Sequence, residues 1–112
     1  KKRILNIGNL KVSRDWSFAP IVMEGVFLQS KLEEPTDICF CSGESFTVEQ
    51  VLQRAFSNFE LDYRNHIKVD EALVRNYEPL KSVGNNQKAK SILKWKPKYN
   101  ALDIIDILSK KI

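Results

Sequence analysis

The chain has 112 residues, of which 43% are apolar and 29% charged, with 18 lysines and arginines against 14 aspartates and glutamates. That length is one domain with a modest core, and that composition excludes a disordered chain. No apolar run approaches the ~20 residues of a helical membrane span, and with a single histidine, His66, and no C-x-x-C no metal site is suggested.

The net charge of +4 is unevenly spread. Residues 1–14 hold five basic groups and no acid, residues 15–80 hold twelve acids against five basic groups, and residues 81–112 hold eight lysines against Asp103 and Asp106. Nucleic-acid binding needs a basic stripe with interleaved aromatics. Lys88, Lys90, Lys94, Lys96 and Lys98 instead scatter around a short helix, so no nucleic-acid partner is expected. Lys1-Lys2-Arg3 is followed by only a few apolar residues and does not read as a signal peptide. Together with two cysteines in an apolar run, this points to a reducing, cytoplasmic setting, and a start directly on a strand reads as a piece of something longer.

In chain order, residues 3–7 read as a strand, Gly8-Asn9 as a turn and residues 11–14 as a short extended piece. Pro20 suits a first helical position, since its φ is already helical and its missing N–H has no partner there. The helix it opens carries Ile21, Val22, Met23, Val26, Phe27 and Leu28 as a broad apolar face. Gly25 inside it costs about 1 kcal/mol relative to alanine, which implies close packing against a neighbour. Residues 33–37 form a loop. Residues 38–41 are apolar on both faces, as in a parallel strand covered on both sides. In such a strand Cys39 and Cys41 point to one face roughly 7 Å apart, too far for a mutual disulfide, and are expected to be buried and reduced.

Thr47 with Gln50 has capping-box spacing and opens a helix from Val48 to about Phe59. Val48, Val51, Leu52, Ala55, Phe56 and Phe59 recur at helical spacing as its buried stripe. Residues 61–64 are a candidate strand, residues 65–69 an irregular link and residues 70–74 one helical turn. Asn85 or Asn86 caps a helix through Leu93, and Asn100 caps a last helix in which Leu102, Ile105, Leu108 and Ile112 share a face edged by Ile104 and Ile107. Tyr77-x-x-x-Lys81 has the spacing of a catalytic Tyr/Lys pair, but Pro79 inside it breaks the helix such a pair needs.

Five segments carry further information: Gly8-Asn9-Leu10-Lys11-Val12-Ser13-Arg14-Asp15-Trp16, Ser42-Gly43-Glu44-Ser45-Phe46-Thr47-Val48, Val69-Asp70 with Arg75 and Glu78, Gly84-Asn85-Asn86-Gln87-Lys88-Ala89, and Leu93-Lys94-Trp95-Lys96-Pro97. In that order they resemble the G-N-L-x-x-x-R-D-W, T-G-E-x-x-S-V, V-D…R-P-x-E, G-D-x-x-K-A and L-x-W-x-P segments of GDP-mannose 4,6-dehydratases, a family of the extended short-chain dehydrogenases/reductases. The resemblance runs from Ile4 to about Leu108. It implies an α/β fold in which residues 1–112 are the small C-terminal substrate-binding domain, short strands with three to four helices. The Rossmann half is absent: no G-x-G-x-x-G occurs, and the family's catalytic Thr/Ser, Glu and Tyr-x-x-x-Lys belong to that half.

The resemblance also implies a role. In the family a nucleotide-sugar is oxidised at C4, loses water across C5–C6 and receives the hydride at C6, with NADP or NAD held by the other half. Here the matching residues imply that Arg14 and Arg75 grip one diphosphate while Glu78 accepts hydrogen bonds from the nucleotide. Planar guanidinium forks suit phosphate oxygens in pairs, and such charge-assisted bonds are about twice as strong as neutral ones. The implied partners are a nucleotide-sugar and, for the whole enzyme, further copies of itself as a homo-oligomer; the chain alone is expected to be inactive. Asn76 replaces the family's proline, Asn85 its aspartate after Gly84, and Ile21 an aspartate after the R-D-W segment. Phosphate recognition tolerates these changes more readily than guanine recognition. A non-catalytic α/β binding module and a nucleotide-sugar reductase or epimerase of the same superfamily are the alternatives.

Overall fold

The computed structural model describes residues 3–111. Its strands are three residues each, too short to carry a local signal, and each exists because a distant segment completes its hydrogen bonds. β1 (Leu5–Ile7) pairs in parallel with β4 (Ile67–Val69), Leu5 opposite Ile67. Leu5 N–H to the His66 carbonyl and Asp70 N–H to the Ile7 carbonyl, both 2.8 Å, close its ends. Residues 65–69, read from sequence as an irregular link, are therefore strand where β1 offers a partner. The candidate strand at 61–64 is instead a turn of 3₁₀-helix, Tyr63–Asn65.

β2 (Ser13–Asp15) runs antiparallel to β3 (Ser45–Thr47), with Arg14 opposite Phe46. On its other side Ser13 donates to the Leu80 carbonyl at 2.8 Å and accepts from Ser82 N–H at 3.0 Å. β2 is thus held between two segments distant in sequence.

Among the described residues four α-helices complete the fold: α1 (Ala19–Gln29), α2 (Val48–Ser57), α3 (Gln87–Leu93) and α4 (Ala101–Ser109). The capping box expected at Thr47 and Gln50 is present in both directions, and Asn100 with Asp103 forms a second one at α4. Each satisfies N–H groups that the first turn leaves without partners. α2 ends at Ser57, so Phe59 falls beyond it and is exposed, and the apolar stripe of α2 is only half-buried. α4 buries Ala101 and Ile104 rather than the face through Leu102, Ile105 and Leu108, and meets α2 through Asp106 and Ser109; Ile112 lies outside the described residues. That contact is held by a two-pronged ion pair, Arg54 Nε and Nη2 to the two carboxylate oxygens of Asp106, with Asn58 Nδ2 donating to Oδ1 at 2.9 Å.

The core is centred on Trp95. Its indole is 4% exposed, packs with Ile21 and Ala89, and meets Phe40 edge-on at 5.2 Å. Its Nε1–H donates to the Ile21 carbonyl at 2.8 Å, so the ring's polar edge is satisfied inside the core. Gly25 faces the same cluster: a Cβ there would stand 2.4 Å from the Phe40 ring, the close packing that a glycine inside an apolar helix implies.

Residues 38–41 form no strand, which corrects the parallel-strand reading. Phe40 turns inward against Gly25 and Trp95 while Cys41 is buried and Cys39 is exposed. Both thiols are free, but their sulfurs lie 3.7 Å apart instead of the roughly 7 Å of an extended strand. The expectation that both are buried therefore holds for Cys41 alone. The segment 77–81 is not helical, as Pro79 requires, so Tyr77 and Lys81 make no catalytic pair.

The molecule is a slab of 56 × 35 × 17 Å with a radius of gyration of 16.9 Å. A compact chain of this length has a radius near 13 Å. A slab one helix and one strand pair thick leaves faces open, and α1 shows it most plainly. It buries Ile21 and Gly25 but leaves Met23 58% and Phe27 59% exposed. A helix apolar on all sides is ordinarily one covered on all sides. Among the described residues no helix is long and apolar enough to cross a membrane, and no cluster of three or more His, Cys, Asp or Glu side chains could hold a metal.

Trp95→Ala is expected to destabilise the fold by about 3–5 kcal/mol in chemical denaturation, while Trp95→Phe, which loses the indole N–H but keeps most of the packing, costs about 1 kcal/mol. Taken alone, the chain is expected to self-associate through the open face of α1. Sedimentation should show mass rising with concentration, and Phe27→Asp should suppress the rise; a monomer at every concentration would contradict this.

Candidate functional site

Asp15 is the organising residue of the candidate site. It ends β2, and its carboxylate reaches two other segments. Oδ1 accepts from Ser42 N–H at 2.9 Å and Ser42 Oγ–H at 2.7 Å, while Oδ2 accepts from Gly43 N–H at 2.9 Å and Gly84 N–H at 3.1 Å. One side chain therefore ties the turn at 42–43 to the stretch at 84. Gly84 must be glycine for this approach: a Cβ would stand 2.4 Å from Cys41 Sγ and 2.6 Å from its Cβ. Next to it, Asn86 is buried and donates to the Cys41 carbonyl at 3.0 Å, while Asn85 accepts from Gln87 N–H at the start of α3. Both asparagines are used, one for the helix start and one for the clasp.

Burial opposes the charge on Asp15, but the Ser42 hydroxyl and the amides of Ser42, Gly43 and Gly84 outweigh it and hold its carboxyl below the usual value. A carboxylate whose folded-state pKa is lowered adds stability that is fully present above its unfolded value of about 3.9. That stability is lost as pH falls through the lower folded-state value.

Arg14, one residue before Asp15, points to the loop that the clasp positions. Its Nη2 lies 2.8 Å from Glu78 Oε1, and its Nη1 donates to the carbonyls of Ser13 at 2.8 Å and Pro79 at 2.9 Å. Two residues 64 apart in sequence become one partly buried unit. A guanidinium has five N–H donors and a carboxylate two acceptor oxygens. Among the described residues, Arg14 Nε and Glu78 Oε2 have no hydrogen-bond partner, so each group keeps capacity for a ligand. Arg75 lies on the same loop but is exposed, with no ion pair or hydrogen bond among the described residues. Tyr77 between them is 98% exposed. The structure thus joins Arg14 to Glu78 and leaves Arg75 on the rim.

The clasp of Asp15, Ser42, Gly43 and Gly84 was not legible as a unit in the sequence. Its only trace is that three turn segments, each with a glycine or a serine–glycine pair, occur in register with the R-D-W segment. Asp15→Asn is expected to destabilise the fold by about 2 kcal/mol at neutral pH, because an amide nitrogen would then face backbone N–H donors. The gap between parent and variant should narrow as pH falls from about 4, the unfolded-chain value, through the lower value of the folded state; a constant gap in denaturation midpoints across that range would contradict the account.

With the geometry in place, comparison with known proteins gives the family. The sequence profile described as GDP-mannose 4,6 dehydratase matches residues 1–108. GDP-mannose 4,6 dehydratase 1 of Arabidopsis thaliana is 36% identical over 104 residues, covering 93% of this chain and 29% of its own length. The Homo sapiens GDP-mannose 4,6 dehydratase is 28% identical over 110 residues, covering 83% of this chain and 30% of its own. This chain therefore spans less than a third of the length of these curated relatives. Among solved structures, dTDP-glucose 4,6-dehydratase from Bacillus anthracis, in complex with NAD, superposes with a TM-score of 0.82 at 13% identity, over 96% of this chain and 34% of its own. RMD from Pseudomonas aeruginosa, complexed with NADPH, gives 0.77 at 18% identity, over 96% of this chain and 36% of its own. At these identities the likeness is one of fold, an α/β arrangement shared with extended short-chain dehydrogenases/reductases over about a third of their chains. With the profile spanning residues 1–108 and the Arabidopsis relative aligned over 93% of the chain, this protein belongs to the GDP-mannose 4,6-dehydratase family.

Proposed function

We propose that this chain is the nucleotide-sugar-binding part of a GDP-mannose 4,6-dehydratase, gripping the diphosphate and nucleotide while hydride and proton transfers take place on residues outside it. The observation that carries this reading is the 2.8 Å pairing of Arg14 with Glu78, the residues that resemblance to the family assigns to the nucleotide. Arg14 Nε and the second Nη2 hydrogen approach a diphosphate oxygen, while Nη1 stays on the backbone and fixes the fork's plane. Glu78 Oε2 accepts from a ribose hydroxyl or a base edge. Arg75 closes from the rim onto the same diphosphate, where its exposed guanidinium is free to move.

The pairing has a physical purpose in this reading. A lone arginine swings over many rotamers and loses that freedom on binding, about 2 kcal/mol for a fully ordered side chain. Held by Glu78 and two carbonyls, Arg14 has lost most of it beforehand. The nicotinamide cofactor does not fit these residues: the β3–α2 junction is closed by its own Thr47–Gln50 box and offers no glycine-turn amides to a pyrophosphate. NADP or NAD and catalysis itself belong to the part of the enzyme beyond this chain, and the full-length enzyme is a homo-oligomer. The chain alone has no turnover, and its working compartment is the cytoplasm.

In the full polypeptide, Arg14→Ala and Arg75→Ala are each expected to weaken GDP-mannose binding by about 2–3 kcal/mol in calorimetry, the loss for a charge-assisted contact to a buried anion. Arg14→Lys should recover only part, since an ammonium lacks the planar fork. Glu78→Gln should cost less, because the amide keeps one oxygen for Arg14. Unchanged affinity in Arg14→Ala would overturn the assignment.

A further inference from the structure

The two cysteines lie beside the clasp and have no part in the proposed nucleotide site. Their sulfurs are 3.7 Å apart, closer than an extended segment allows, and residues 38–41 belong to no β-ladder that would hold them there. Cys39 opens onto a groove of about 520 Å³ whose lining includes Asp37, Asn85, Gln87 and Lys88. Lys88 Nζ stands 3.4 Å from the Asp37 carbonyl and places a positive charge at this groove. Cys41 lies on the inner side, buried, with its sulfur against Gly84. One thiol faces solvent, one faces the core, and they touch. Among the described residues no third ligand joins them, so the pair suits covalent sulfur chemistry rather than metal coordination.

We propose that Cys39 and Cys41 form a dithiol exchange site that closes to an intramolecular disulfide by reaction with a small disulfide bearing carboxylates. The Cys39 thiolate attacks one sulfur of the incoming disulfide, whose S–S bond breaks and releases the first thiolate. Cys41 Sγ then attacks the Cys39 sulfur of the mixed disulfide and expels the second. The two thiol protons end on the two leaving thiolates; the protein dithiol loses two electrons and the small disulfide gains them. Lys88, on the lining of the groove, attracts the carboxylates of the incoming disulfide.

The order of attack follows from the surroundings. Burial, then the neighbouring Cys39 and the Asp15 carboxylate, push the Cys41 thiol up to about 11. The other groups against it, Gly84 and Asn86, are uncharged. Exposed Cys39 is therefore the entry point and Cys41 the resolving thiol. Closure draws the sulfurs to about 2.05 Å, and Cys39 moves, because Cys41 is anchored through its carbonyl to Asn86.

The test is to incubate the full polypeptide with oxidised glutathione at about pH 8 without oxygen and follow it by intact mass and peptide mapping. The expected product has lost two hydrogens, joins Cys39 to Cys41 and retains no glutathione. Its rate of closure should rise with pH between about 7 and 9, as attack by a buried thiol beside a carboxylate requires. In Cys41→Ser glutathione should stay on Cys39, and in Cys39→Ser, a surface change that leaves the core intact, Cys41 should remain unreacted. A stable glutathione adduct on Cys39 of the unaltered protein, a disulfide between two chains, or no reaction at either thiol would overturn the proposal.

Discussion

A single carboxylate holds this molecule's working parts together. Asp15 accepts four hydrogen bonds, from Ser42, Gly43 and Gly84, and so joins β2 to two segments 27 to 69 residues away. Backbone N–H groups at turns need partners when they leave water, and an ionised acceptor with two oxygens satisfies several at once. Because Arg14 precedes Asp15 on the same short strand, fixing Asp15 also fixes where Arg14 points. Because Gly84 belongs to the same clasp, the 74–83 loop is held at its far end, and Glu78 falls within reach of that guanidinium.

The clasp matters more here than it would in a thicker domain. With a radius of gyration of 16.9 Å, the slab has little interior, and its best-packed cluster is the small one around Trp95. Hydrophobic burial scales with area removed from water, so a thin body gains little from it and depends on specific polar ties between segments. The bidentate Arg54–Asp106 contact between α2 and α4 is a second such tie. The open face of α1 is the complement of this economy: apolar surface that the chain by itself has nothing to set against.

The same arrangement explains why the candidate site and the dithiol pair are neighbours yet separate. Cys41 backs onto Gly84 from the core side, while Arg14 and Glu78 project from the other end of the clasp. In the resemblance, position 14 needs its arginine and position 84 its glycine for reasons of charge and space. Nothing in that pattern asks for sulfur at 39 and 41, and their contact comes from the bend that turns Phe40 into the core.

What the sequence determined by itself was local chemistry and order. The Thr47–Gln50 box, the Asn100 cap, the break at Pro79 and the close packing at Gly25 each depend on neighbours within a few residues or on the size of one side chain, so pattern alone suffices. The five motifs in register likewise identified the family without any geometry. Tertiary structure alone decided the rest. Residues 67–69 are strand only because β1 lies beside them, residues 38–41 are not strand because no partner does, and α4 buries Ala101 and Ile104 while giving Asp106 to α2. Arg14 and Arg75 read from sequence as two grips on one diphosphate; the fold adds that the Arg14 fork is already paired with Glu78 while Arg75 is exposed. Residue type sets which bonds a side chain is able to make; which of them it does make depends on what the rest of the chain brings within 3 Å.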